Sequence, residues 1–72
     1  MRKRDLIVAM CRHEKVRVLD PLSKRFSEEC IVKRVSYIHL EHNRVAISAE
    51  LWGRNSVYHA LSKNIRLARE VL

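Results

Sequence analysis

The sequence predicts an α+β fold: a small antiparallel sheet of three to four strands, with a C-terminal helix over its apolar face. Three observations carry this expectation. Residues 30–52 contain two alternating apolar–polar runs on either side of Glu41-His42-Asn43-Arg44, the pattern of a β-hairpin. Residues 15–20 alternate in the same way. From Tyr58 onward, Tyr58, Leu61, Ile65, Ala68 and Leu72 recur at steps of three and four, the spacing of one helical face.

Residues 6–11 (Leu-Ile-Val-Ala-Met-Cys) are apolar without interruption, so periodicity does not decide their structure. Their length and β-branched content favour a buried strand. A short helix capped by Asp5, with Leu6 and Met10 on one side, is the rival. In residues 15–20, Val16 and Val18 share one face and Arg17 takes the other. Asp20-Pro21 ends this strand, because proline lacks the N–H that a ladder needs and restricts the residue before it. Leu22–Ser27 reads as a basic loop carrying Lys24 and Arg25 and pinned by Phe26.

In the hairpin, a turn at His42-Asn43 pairs Glu41 with Arg44, Leu40 with Val45 and Ile38 with Ile47. Ile38, Leu40, Val45, Ile47, Ala49 and Leu51 then share the core face, and Tyr37, His39, Ser48 and Glu50 the other. A one-residue slip would turn a whole strand inside out. A tight turn here requires two non-glycine residues at positive φ, and a four-residue loop is the alternative. The alternation breaks upstream, which points to a bulge near Lys33-Arg34 or to burial on both sides. Gly53 closes the hairpin, Asn55 or Ser56 caps the next element, and the helix is expected from Val57 to Glu70.

With 72 residues, one glycine and one proline, the chain has no linker and reads as one small basic domain, 1–72. A domain this small buries only about 60% of its unfolded surface, which disfavours an enclosed active site with a cofactor. The longest apolar run is far short of the roughly 20 residues of a membrane span. The basic start Arg2-Lys3-Arg4 is followed by Asp5 and too short an apolar stretch for a signal peptide. Cys11 and Cys30 are expected to be reduced in a cytoplasmic setting.

The histidines and cysteines lack the close pairs of a structural zinc site, since Cys11-x-His13 and His39-x-x-His42 are the only near ones. With one glycine there is no phosphate-cradling loop, and no nucleophile elbow is present. The expectation is a non-enzyme with no metal and no cofactor.

The positive charge asks for a partner: 15 Lys+Arg oppose 8 Asp+Glu, for a net charge of +7, and ten of the cations are arginine. Arginine's planar fork suits phosphate. The expected phosphate contacts are Lys15, Arg17, Lys24, Arg25, Lys33 and Arg34, with Tyr37 as a base-stacking candidate. The leading function is a small nucleic-acid-binding or regulatory protein, RNA and DNA being unresolved. The alternative is a protein-interaction module, such as a phage- or plasmid-type inhibitor or an accessory subunit, that binds an acidic protein surface through the hairpin edge or the Trp52–Tyr58 region. Apolar residues left over from a single-layer sheet, together with open sheet edges, also predict a homodimer. No membrane partner is expected.

The order strand, strand, hairpin with Asn43-Arg44-Val45-Ala46-Ile47, then helix is loosely similar to the dimeric RNA-binding translational repressors of the CsrA type. That family's glycines are absent, and residues 21–28 would be an insertion, so the resemblance assigns no residue. A small SH3-like or Sm-like β-barrel is the alternative fold. It would replace the last helix by a short strand at Ser56–Ala60, a turn, and a last strand at Ile65–Ala68.

Overall fold

A computed structural model describes residues 1–71; Leu72, the last member of the helical stripe, lies outside the described residues. The chain runs through α1 (Lys3–Arg12), β1 (Lys15–Val18), β2 (Cys30–His39), β3 (Val45–Trp52), β4 (Val57–Leu61) and β5 (Ile65–Leu67). Single 3₁₀ turns occupy Ser62–Asn64 and Ala68–Glu70. The five strands form one antiparallel sheet in the order β4-β3-β2-β1-β5. That order has two free ends, so ladder hydrogen bonds do not close the sheet on itself. No helix among the described residues is long and apolar enough to cross a membrane.

The expected C-terminal helix is not present, and the last element of the CsrA-type order is therefore missing too. Strand, turn and strand occupy 57–67 instead. The alternation on either side of Ser62–Asn64 has a period of two: Tyr58 and Ala60 face the core, then Ile65 and Leu67 do, while His59 and Arg66 point out. The spacing of 58, 61, 65 and 68 fits a helix only by coincidence. What overrides it is β1, whose second edge is filled by β5 through Val16↔Leu67, Arg17↔Arg66 and Val18↔Ile65.

Residues 6–11, expected as a strand, belong to α1, and this N-terminal helix covers the sheet. It starts at Lys3 after Arg2, so Asp5 lies in its first turn and caps nothing, although a carboxylate there suits the positive end of the helix dipole. Leu6, Ala9 and Met10 form the i, i+3, i+4 stripe. Leu6 and Ala9 are buried and Met10 packs beside them, whereas Ile7, Val8 and Cys11 are exposed. The unbroken run therefore hides a one-sided helix. His13 ends it in the left-handed region (φ 54°, ψ 36°). Its N–H donates to the carbonyl of Met10 (3.3 Å) and the Glu14 N–H to that of Ala9 (2.9 Å), the paired bonds of a Schellman motif. Histidine takes the place usually held by glycine. His13→Gly is expected to stabilise the fold by about 0.5–1 kcal/mol, the left-handed penalty less the entropic cost of glycine, read as a higher urea midpoint.

The hairpin 30–52 is present as β2 and β3, but its register is one residue off the expected one. The pairs are Ile38↔Ala46, Tyr37↔Ile47, Ser36↔Ser48 and Val35↔Ala49. The turn itself sits at His42-Asn43, both at positive φ (59° and 58°), with the Arg44 N–H donating to the Glu41 carbonyl (3.3 Å). The Leu40 N–H donates in turn to the carbonyl of the same Arg44 (2.7 Å), so two residues of one strand oppose one of the other. This extra residue shifts the register. A second irregularity, between Val32 and Arg34, is the bulge expected from the broken alternation.

Val35, Tyr37 and His39 thereby share the core side with Ile47, Ala49 and Leu51, and Ile38 points outward. The cause lies upstream. Cys30, Val32 and Val35 can face one core only if a residue is skipped at Lys33-Arg34, and the hairpin tip adjusts to that demand. The core consists of Leu6 and Ala9 from α1, Val16, Cys30, Val32, Ala49, Leu51 and Ile65. Burial pushes the Cys30 thiol up from its ordinary pKa, and Cys11 is a free, exposed thiol.

Candidate nucleic-acid interface

Alternation along each strand sends one set of side chains into the core and the other to the outer face of the sheet. On β1 the outward pair is Lys15 and Arg17. Across the ladder Lys15 faces Ile31, and Ile31 faces Trp52, so Lys15, Ile31 and Trp52 form one row over three strands. Arg17 faces Arg66 of β5. Lys15, Arg17, Glu28, Glu29, Ile31, Trp52, Gly53 and Arg54 line a depression of about 600 Å³, three cations against two carboxylates. The Lys33 ammonium stands 4.8 Å from the centre of the Trp52 ring.

Arg17 and Arg66 are partners across the ladder, and among the described residues neither is within ion-pair distance of a carboxylate, but their side chains part: Arg17 lines the depression, and Arg66 lines a separate cleft with Met1, Asp5, Lys63 and Glu70. The ion pairs present are Arg12–Glu14 and Arg69–Glu14, both at 3.9 Å. Arg17 Nη1 donates to the Ser27 carbonyl (2.9 Å), and Arg66 Nη1 to the carbonyls of Lys63 (2.6 Å) and Ile65 (3.0 Å). Carbonyls orient these guanidiniums without neutralising them. Desolvation, with the charge of Arg66 second, also lowers the pKa of the Met1 ammonium.

Of the two acids lining this depression, Glu28 is already engaged. Glu28 Oε1 accepts from the Arg54 backbone N–H (2.8 Å) and Oε2 from the Tyr58 hydroxyl (3.0 Å). This bond to the carboxylate raises the Tyr58 pKa above its ordinary value. Gly53 permits the contact, because a Cβ there would stand 2.8 Å from Glu28 Cδ. Glu28 thus ties the segment before β2 to the turn after β3 and fixes the rim on which Arg54 sits.

The residues expected to bind phosphate do not all come together. Lys15 and Arg17 lie in the depression and Lys33 on its Trp52 wall. Arg34 is outward on the same sheet but faces Glu50. Lys24 and Arg25 sit apart, in a loop closed by the Leu19↔Phe26 bridge. There Asp20 accepts the Leu22 N–H (2.9 Å), the larger cause of its lowered pKa, and Lys24 is at positive φ (60°). Arg25 lines a separate cleft of about 610 Å³, walled by Leu19, Phe26, Tyr58 and Ala60 beside the free edge of β4. Tyr37, expected on the polar face, is on the core side of the sheet. There the Lys3 ammonium donates to its hydroxyl and lies 4.3 Å from its ring centre. It does not share a surface with Lys15 and Arg17.

Arg54 and the position of Trp52 are not legible in the sequence as parts of one site. They come beside Lys15 only once β3 is paired with β2 and β2 with β1. Compared with known proteins, the chain matches no family model, no curated protein and no solved structure.

Proposed function

We propose that this is a small, non-catalytic nucleic-acid-binding or regulatory protein of the cytoplasm that holds phosphates on the outer face of the sheet beside β1. The observation that carries this is the depression lined by Lys15, Arg17 and Arg54 beside Trp52, in which the Arg17 guanidinium is held by the Ser27 carbonyl and has no ion-pair partner among the described residues. Cations gathered in this way gain when an anion bridges them. Lys33 extends the surface, while Lys24 and Arg25 lie outside it.

The test is titration with a generic oligonucleotide at several salt concentrations. With about three to five phosphates neutralised, log K is expected to fall against log salt with a slope of about −2 to −4. Replacing Lys24 and Arg25 together by Ala is expected to leave that slope unchanged. No binding at low salt overturns the proposal.

A protein-interaction module is the second reading, favoured by the cleft beside β4. An extended peptide could add to this free edge and set alternate side chains between Leu19, Phe26 and Ala60. Such binding would depend little on salt. The free edge of β4, with exposed Val57 on it, also supports self-association, whereas on β5 the Met1 ammonium already donates to the Ile65 carbonyl (3.2 Å). Sedimentation at micromolar concentration is expected to show a dimer or larger species; a single 8.5 kDa species refutes this.

A further inference from the structure

We infer that the nucleic acid taken by this surface is single-stranded, with one base stacked on Trp52 and the adjoining phosphates on Lys15, Arg17 and Arg54. The inference rests on the nucleic-acid reading above and adds the form of the ligand.

Trp52 is the only tryptophan of the chain, and it ends β3 half-exposed, at 49%. The indole N–H donates to Glu50 Oε2 (3.2 Å), and the Lys33 ammonium stands over the ring, 4.8 Å from its centre. Trp52 also lines two depressions, the one of about 600 Å³ and a smaller one of about 310 Å³ formed by the turn 53–57. The residue is thus reachable from solvent on the side of the cations.

Distance and charge then select the ligand. Lys15, Ile31 and Trp52 are neighbours in one row, so Lys15 lies two strand spacings, about 10 Å, from Trp52. Arg17 lies two residues, about 7 Å, further along β1. Between them is Ile31, an apolar floor that offers nothing to phosphate and is suited to a sugar or a base edge. An aromatic platform at one end and cations at the other match a nucleotide unit whose base is free to leave its neighbours. A duplex presents phosphates but keeps its base faces stacked internally, so it could use the arginines and not the ring. Stacking on one tryptophan is tolerant of sequence, because every base has a π-face. Glu50, which accepts the indole N–H, opposes phosphate close to the ring itself. Phosphate therefore favours the cations of the depression, where Lys15, Arg17 and Arg54 outnumber Glu28 and Glu29, and the base is left to Trp52.

The test uses the full chain, an oligouridylate, and an RNA duplex of matched length and mixed sequence. With Trp52 the sole tryptophan, its fluorescence reports the contact directly. The oligouridylate is expected to quench it and to bind more tightly than the duplex. Trp52→Ala is expected to weaken oligouridylate binding by about 5- to 150-fold, the range of one base–aromatic stack, while the salt slope stays the same. Trp52→Phe, measured with a labelled oligouridylate, should restore most of the affinity and guards against a folding defect in the alanine variant. Binding of both nucleic acids with no quenching, or with equal affinity for wild type and Trp52→Ala, overturns the single-strand inference and leaves the phosphate surface standing. Failure of both to bind at low salt overturns the two together.

Discussion

Replacing Leu51 by alanine is expected to lower the stability of the fold by about 2–5 kcal/mol. Leu51 has no solvent exposure, pairs with Val32 on one side and Tyr58 on the other, and lies in the middle of the core. A domain of this size has roughly 4–11 kcal/mol to lose, so the variant approaches its unfolding threshold at room temperature. Leu40→Ala is the matched control. The hairpin pattern places Leu40 and Leu51 on one apolar face, yet the extra residue beside the turn leaves Leu40 at 41% exposure. Its replacement is expected to cost no more than about 0.5 kcal/mol. Urea denaturation of the two variants measures the difference, and equal midpoints would mean that the register is wrong.

Arg17→Glu is expected to separate binding from folding. The new carboxylate would stand in register with Arg66 across the ladder, an opposite-charge position worth about 0.2–1 kcal/mol that offsets the lost bond to the Ser27 carbonyl. Binding of an oligonucleotide is expected to fall about tenfold or more at low salt, with a salt slope shallower by about 1. A residue kept for the fold would behave in the opposite way. A destabilised variant that binds as tightly as wild type would remove Arg17 from the site.

Local chemistry in the sequence located the turn at His42-Asn43, the bulge at Lys33-Arg34, the strand of Val16 and Val18, and the hairpin between Cys30 and Trp52. What depends on distant partners was not legible. Leu6–Cys11 has the composition of a strand, and only the sheet beneath it selects Leu6 and Ala9 as the buried side of a helix. Tyr58, Leu61, Ile65 and Ala68 satisfy a helical period, and the vacant edge of β1 decides against it. Two bulges in one hairpin shift register twice, so Tyr37 and Ile38 exchange faces although the turn is correctly placed. The candidate site shares this limit. Lys15, Arg17 and Lys33 stand out by composition, whereas Arg54 joins them only through the pairing of strands far apart in the chain.

The pairing of β1 with β5 sets an order in time. β2, β3 and β4 follow one another as a meander, and each ladder between them closes over a short loop. The β1–β5 ladder joins residues 16–18 to 65–67, and the entropy of closing so long a segment has to be met before its contacts contribute. The meander is therefore expected to form early, with β5 docking onto β1 late. Amide exchange checks this, since protons of β5 should exchange through a partial opening that leaves β3 protected. The Arg17–Arg66 register is then the last part of the sheet to be fixed. A chain still emerging from the ribosome would keep β1 with one edge unfilled until residue 67 has been made and has docked.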